Sequence, residues 1–182
     1  FILQGVFFLA GILLVETLLE VPFSLAATFR IEARHGFNRT TRRLWLADLL
    51  KGIALSLGIG ALLAGGALWL VGRSPESWWL WVWGFLLAAG IFLMLIAPYV
   101  LEPLFHKFTP LALPDLEARI RNLVERVGLR AGRILQVDAS RRSRHSNAYF
   151  TGIGPVKRIV VFDTLLGSAT HDEILAVLAH EL

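Results

Sequence analysis

The chain of 182 residues contains no cysteine, carries a formal net charge of +4 and is 55% hydrophobic, with a mean hydropathy of +0.63. Without cysteine there can be no disulfide, thiolate nucleophile or cysteine-ligated metal, which leaves histidine and carboxylates as the available ligands. The apolar content exceeds that of an ordinary soluble domain. All eighteen Lys and Arg lie outside the long apolar runs, a distribution that suits a membrane protein and argues against nucleic acid as a partner.

Phe1 to Phe29 is apolar apart from Gln4, Glu16, Glu20 and a few small hydroxyl residues, long enough to cross about 30 Å of hydrocarbon. Glu16 and Glu20 lie one helical turn apart. Either they face a bundle interior or watery cavity, or the span ends early and both sit among headgroups. Because the chain opens at Phe1 inside an apolar run, without a basic leader, it does not begin like a signal peptide. It also stops within a helical pattern, so it reads as an internal piece of a longer protein.

Arg30 to Lys51 holds six basic residues against Glu32 and Asp48, the pattern of a loop followed by a short amphipathic approach to the next span. Residues 53–71 carry no charge, and Gly58, Gly60, Ala64 and Gly65 offer small faces for close helix packing. A turn at 72–77 contains only Arg73 among basic residues. Residues 78–100 then return, with Trp78, Trp79, Trp81 and Trp83 massed as an aromatic belt. Six basic residues in one connection against one in the other place the larger loop, and everything after Val100, on the cytoplasmic side by the positive-inside rule.

From Leu101 the composition becomes that of a soluble domain. Pro114 and Asp115 open a helix to about Val127, with Leu116, Ile120, Leu123, Val124 and Val127 on one face and Gly128 as its stop. Residues 133–137, 147–150 and 158–162 read as short strands, the last two divided by a turn at Gly152-Ile153-Gly154-Pro155. A basic loop containing Arg141, Arg142, Arg144 and His145 precedes them. It could hold a substrate carboxylate or lipid headgroups, or be simply solvated.

The final stretch, T-H-D-E-I-L-A-V-L-A-H-E-L, starts with a capping box formed by Thr170 and Glu173. Ile174, Leu175, Val177 and Leu178 make an apolar stripe at helical spacing, which fixes the angles at which His180 and Glu181 emerge. Zinc peptidases carry H-E-x-x-H on a helix, because histidines four apart project from one face while the Glu stays free to take a proton. Only the first two letters are present here, and the second His would fall beyond Leu182. His35 and His106 sit in loops at the membrane border, where solvated or backbone-bonded roles fit best. His171 occupies the first turn, the wrong end for the metal, and Asp163 reads as a turn cap without chemistry.

Four stretches together resemble the Ste24 type of CAAX prenyl protease, membrane zinc metallopeptidases of family M48. They are G-F-N-R-T-T (Gly36 to Thr41) with Asp48 and Lys51, P-L-F-H-K-F-T-P-L (Pro103 to Leu111), S-N-A-Y-F-T-G (Ser146 to Gly152) with K-R-I-V-V-F-D-T-L-L (Lys157 to Leu166), and E-I-L-A-V-L-A-H-E-L. The resemblance implies a mainly α integral membrane protein with at least three transmembrane helices in this stretch. It also implies an α+β zincin-like catalytic domain, incomplete at the C-terminus. Residues 1–110 would be the membrane region, with spans near 1–29, 53–71 and 78–100, and 111–182 the first part of the peptidase domain.

The implied cofactor is one catalytic Zn2+, with His180 as a ligand and Glu181 as general base, the other ligands lying outside this sequence. Asn147 and Ala148 would hold an extended substrate at a strand edge, in agreement with the tendency of unpaired edges to accept a further strand. The partners expected are a peptide or protein substrate, prenylated or not, and the lipid bilayer. The site would open into a chamber within the membrane helices, for which Glu16 and Glu20 are candidate linings. Two rivals remain: an HtpX-like quality-control protease of the same family, and a non-catalytic membrane scaffold or transporter component with an incidental His-Glu. The residue four positions after His180 discriminates the enzyme from the latter.

Overall fold

The computed structural model describes residues 1–152 and 156–182. The chain forms two compact units, one of Phe1–Glu32 with Thr41–Ile96, the other of Ala33–Thr40 with Ala97–Leu182. Of the turn expected at Gly152 to Pro155, only Gly152 is among the described residues, and its φ of +110° is one that glycine adopts without strain.

In the first unit, helix α1 (Ile2–Ala26) continues as a π-helical segment over Ala27–Glu32. Helices α2 (Arg42–Arg73) and α3 (Trp78–Val100) follow. All three are long and apolar enough to cross a membrane. The connection expected at the start of 30–51 is short, and the amphipathic approach expected after it is the first part of α2. Thr41 caps α2, its hydroxyl accepting from Leu44 N–H at 3.2 Å, so the helix starts eleven residues before the uncharged run. Good helix formers in 44–51 then carry it onward. At 32 residues α2 is about 48 Å long, more than the hydrocarbon thickness, so its charged beginning extends past the apolar part.

α1 and α2 pack as an antiparallel hairpin through small residues. A Cβ on Gly60 would lie 2.9 Å from Leu13 Cδ1, and one on Gly5 would lie 2.5 Å from Leu68 Cδ1. Close backbone approach of this kind is how apolar helices associate where burial alone provides little drive. Further along the hairpin, Trp45 Nε1–H donates to Ser24 Oγ at 3.2 Å and meets Phe29 edge-on. Glu16 and Glu20 are exposed, away from the stripe that meets α2.

The second unit is built on a four-stranded sheet in the order β1-β2-β4-β3. Its strands are β1 (Phe108–Pro110), β2 (Arg130–Val137), β3 (Ala148–Thr151) and β4 (Val156–Phe162). β2 and β4 are parallel, with Val137 opposite Phe162, and both outer pairs are antiparallel. Leu116, Ile120 and Val124 of α5 (Pro114–Arg126) pack on one sheet face with Ile134, Ile159, Val161, Ala148 and the buried stripe of α7 (His171–His180). Each such Leu or Ile contributes about 1.5–3 kcal/mol by leaving water. The opposite face is covered by Val137, Val160 and Ala139 with Phe108, Tyr149 and Phe162.

Helix α5 ends as its glycine predicted. Gly128 has φ +77°, and the N–H groups of Gly128 and Leu129 reach back to the carbonyls of Glu125 and Val124, a Schellman ending. Two short helices, α4 (Glu102–Phe105) and α6 (Asp163–Ser168), complete the unit. Asp163 opens α6, and its carboxylate accepts from Ser140 N–H at 2.8 Å and Ser140 Oγ–H at 2.5 Å.

Candidate active site

Helix α7 is held at both ends of its first turn. Thr170 Oγ1 accepts from Glu173 N–H at 3.4 Å, while the Glu173 carboxylate accepts from Thr170 N–H at 2.7 Å. That backbone hydrogen bond, seconded by the Thr170 hydroxyl, holds the Glu173 carboxyl below its ordinary range. Asp172 pairs with Arg119 of α5, whose guanidinium lowers its pKa, first through the hydrogen bond and then through its charge. His171 Nδ1 lies 3.4 Å from Asp115, so this histidine serves the α5–α7 contact. Below the cap, Ile174 and Leu178 are fully enclosed. The stripe therefore fixes the rotation of α7, and His180, two residues past Leu178, emerges exposed on the side away from the core. Glu181 retains helical backbone angles, its N–H bonded to Val177 O at 3.3 Å, and is exposed too.

β3 is an edge strand, the position expected for Asn147 and Ala148. Ala148 is buried in the same cluster as Ile174 and Leu178, so its side chain packs in the core beneath α7. Asn147 O accepts from Phe162 N–H at 3.0 Å, which makes that pair a hydrogen-bonded one. By antiparallel alternation the N–H and C=O of Ala148 then point to the open edge. The Asn147 side chain occupies this edge donor, since Ala148 N–H donates to Asn147 Oδ1 at 2.8 Å. The residues before β3 are pinned by α6, with Thr164 Oγ1–H on His145 O at 2.8 Å and the Ser146 and Ser168 hydroxyls 3.3 Å apart.

Among the described residues, no three His, Asp or Glu side chains converge as a metal site. The His180 imidazole is solvent-facing and adjacent to Glu181. His106 is near Asp138, with Nδ1 4.0 Å from its carboxylate. A cleft of about 750 Å³ bordered by Lys107, Glu117, Arg121, Arg133 and Arg158 opens on the β1–β2 side, across the sheet from β3. None of its lining residues is His180, Glu181, Asn147 or Ala148.

Sequence reading passed over one buried polar cluster. Arg158 of β4, 7% exposed, donates through NH1 to Pro98 O at 2.6 Å and to Glu102 Oε2 at 3.3 Å. Tyr149 O–H donates to the same carboxylate oxygen at 3.1 Å. The Arg158 guanidinium also lies 4.5 Å from the centre of the Phe108 ring. The available signal was an arginine directly before the apolar run Ile159 to Phe162 of the same strand, which must find partners if buried.

A family model described as the CAAX prenyl protease N-terminal region of five membrane helices matches residues 1–107. That of peptidase family M48 matches residues 110–182. The chain belongs to the M48 family of CAAX prenyl proteases. Over its whole length it is 41% identical to a CAAX prenyl protease 1 homolog of Oryza sativa subsp. japonica, covering 43% of that protein. It is 40% identical to CAAX prenyl protease 1 of Saccharomyces cerevisiae, with 98% of this chain and 40% of the yeast protein aligned. The crystal structure of S. mikatae Ste24p superposes with a TM-score of 0.91 at 41% identity, covering 98% of this chain and 42% of that one. The chain thus spans less than half the length of the relatives it matches.

Proposed function

We propose that the protein carrying this chain is an integral-membrane zinc metalloendopeptidase of the Ste24 type. It would cleave CAAX-like C-terminal tails or segments of membrane proteins. The observation that carries this reading is the pairing of family membership with an exposed His180-Glu181 at the end of a capped, core-anchored helix, packed beside an edge strand. In this reading residues 1–110 are the membrane region, and 111–182 begin the peptidase domain. The six-to-one excess of basic residues in the 30–51 connection puts the peptidase domain on the cytoplasmic side.

His180 supplies one imidazole to the zinc, and the further ligands come from residues other than those described. When bound, zinc supplies Lewis acidity and a water whose pKa is near 7. Beside that metal Glu181 would act as general base and acid, its carboxylate taking up a proton and returning it to the leaving amine. Ala148 N–H and C=O bind the substrate backbone as an added strand, and the Asn147 carboxamide turns from Ala148 to the substrate.

The test is zinc content and cleavage of a C-terminal peptide, prenylated and unprenylated, by the intact protein and its Glu181→Gln variant. The reading expects one zinc in both and loss of cleavage in the variant. An intact protein without zinc, or a variant that cleaves normally, overturns it. A preference for the unprenylated peptide would favour a quality-control role.

A further inference from the structure

We propose that the loops 33–40 and 138–146 together form a binding surface for the headgroups of anionic phospholipids. The first of these loops connects two helices, each long enough to cross a membrane, so its covalent position keeps it within a few residues of both apolar segments. The second is fastened to it by backbone bonds in fixed register. Asn38 and Ser143 form an antiparallel bridge, Arg39 N–H donates to Arg142 O at 3.0 Å, and Arg144 N–H donates to Phe37 O at 2.9 Å. Thr40 Oγ1–H adds a bond to Arg142 O at 3.0 Å. The Phe37 and His145 rings stack at 4.3 Å, joining the loops through their side chains.

This fastening brings Arg39 and Arg144 onto adjoining loops, with Arg34 a short distance along the first. All three are exposed, and among the described residues none takes part in an ion pair with a carboxylate. The nearest acidic residue in the second loop, Asp138, is engaged by Arg141 at 3.2 Å. A fixed group of uncompensated guanidiniums, part of it on the segment that links two apolar helices, complements a phosphodiester surface, since guanidinium forks match phosphate oxygens. The half-exposed Phe37 adds an apolar contact of the kind that suits the interface. This proposal concerns the membrane surface and is independent of the peptidase chemistry at His180.

The experiment uses the intact protein in detergent micelles doped with pyrene-labelled phosphatidylglycerol or phosphatidylcholine, read by energy transfer from tryptophan. Phosphatidylglycerol should bind more tightly, and salt at about 0.5 M, where the Debye length falls to about 4 Å from about 30 Å at low salt, should remove the difference. The triple variant R34Q/R39Q/R144Q should weaken phosphatidylglycerol binding about 100-fold, at about five-fold per basic residue, and leave phosphatidylcholine unchanged. Unchanged melting in phosphatidylcholine micelles verifies that the variant folds, and R144Q alone should give a single five-fold step. Equal binding of the two lipids, or a triple variant that binds phosphatidylglycerol like the wild type, overturns the proposal. So does a loss in that variant confined to peptides with a free, rather than amidated, C-terminal carboxylate, which would assign the surface to substrate.

Discussion

Arg158 donates a 2.6 Å hydrogen bond to the carbonyl of Pro98, sixty residues earlier and within the last turn of α3. Carbonyls at a helix C-terminus lack intrahelical partners and carry partial negative charge, so a buried guanidinium there satisfies both needs. The same guanidinium meets Glu102 and faces Phe108, tying β4 to α4 and β1. Arg158→Met should therefore destabilise the second unit by about 3 kcal/mol, since it strands a half-enclosed carboxylate. Arg158→Lys should lose less but not be neutral, because an ammonium cannot serve the carbonyl and the carboxylate with the same fork. Thermal unfolding of the intact protein in detergent measures both, and a methionine variant that melts with the wild type would contradict the assigned role.

Tyr149 has its pKa raised well above 10, first by burial and then by the charge of Glu102 and the hydrogen bond to it. A tyrosine with a raised folded pKa adds stability that is complete below the unfolded value, near 10, and is lost as pH rises further, because the unfolded chain then gives up the proton more readily. The chain has only two tyrosines, so the titration is resolvable. Tyrosinate absorbance should show a phase delayed to strongly alkaline pH that Tyr149→Phe removes, and the same variant should flatten the alkaline loss of stability. A titration completed near the ordinary tyrosine pKa would exclude the buried contact with Glu102.

The cap of α7 is a distinct case, because its residues are solvent-exposed yet determine where His180 and Glu181 begin. Thr170→Ala removes the N-cap acceptor and should cost about 1 kcal/mol. Glu173 and Asp172 have lowered pKa values, so their contribution is present above the unfolded carboxylate range and lost as pH falls through the lower folded values. In Thr170→Ala the protection of α7 amides in hydrogen exchange should drop at neutral pH, and in Glu173→Gln, which removes the carboxylate that accepts from Thr170 N–H, acidification should erode it less than in the wild type. Equal acid sensitivity in Glu173→Gln and the wild type would show that the capping box is not what the protons act on.

The α7 cap and the Gly128 stop were legible in the sequence because each depends on residues close together in the chain. Thr170 and Glu173 are three apart, and Gly128 directly follows the helix it ends. The amphipathic approach within 30–51 is continuous with the uncharged run as one helix, because Thr41 is a sound N-cap and no breaker follows it. β1 has only three residues, ends in Pro110 and pairs with β2 from a separation of 27 or so positions, a contact that local pattern does not encode. The Arg158 cluster is of the same kind. His180 and Glu181 were legible as residue types with a familiar neighbourhood, but a convergent ligand set is a property of distant residues, and none is formed among those described.

Asn147 offers a test that separates substrate binding from edge maintenance. Its side chain takes the one outward N–H of Ala148, so Asn147→Ala leaves that donor to solvent and removes one hydrogen bond available to a peptide. If the carboxamide holds substrate, KM for a peptide should rise by roughly five- to ten-fold with a smaller change in kcat, equivalent to about 1–1.5 kcal/mol for one bond. If it merely shields the edge, KM should stay or fall, and the purified variant should self-associate more readily, because an unprotected edge pairs with other strands.

Zinc binding separates the contribution of this chain from that of the longer protein. A catalytic zinc takes about three protein ligands, and His180 is the one assigned here, so a protein made of residues 1–182 alone should bind zinc at far below one equivalent. In the intact protein, His180→Ala should lose the metal, whereas Glu181→Gln, which alters no ligand, should keep it. Metal analysis after dialysis against a weak chelator distinguishes the cases. Stoichiometric zinc in residues 1–182 alone would mean that a site exists which the side-chain arrangement does not reveal, and zinc retained by His180→Ala would remove this histidine from the ligand set. Loss of zinc in both variants would point to Glu181 orienting the site as well as moving a proton, a role its position directly after the ligand on α7 would allow.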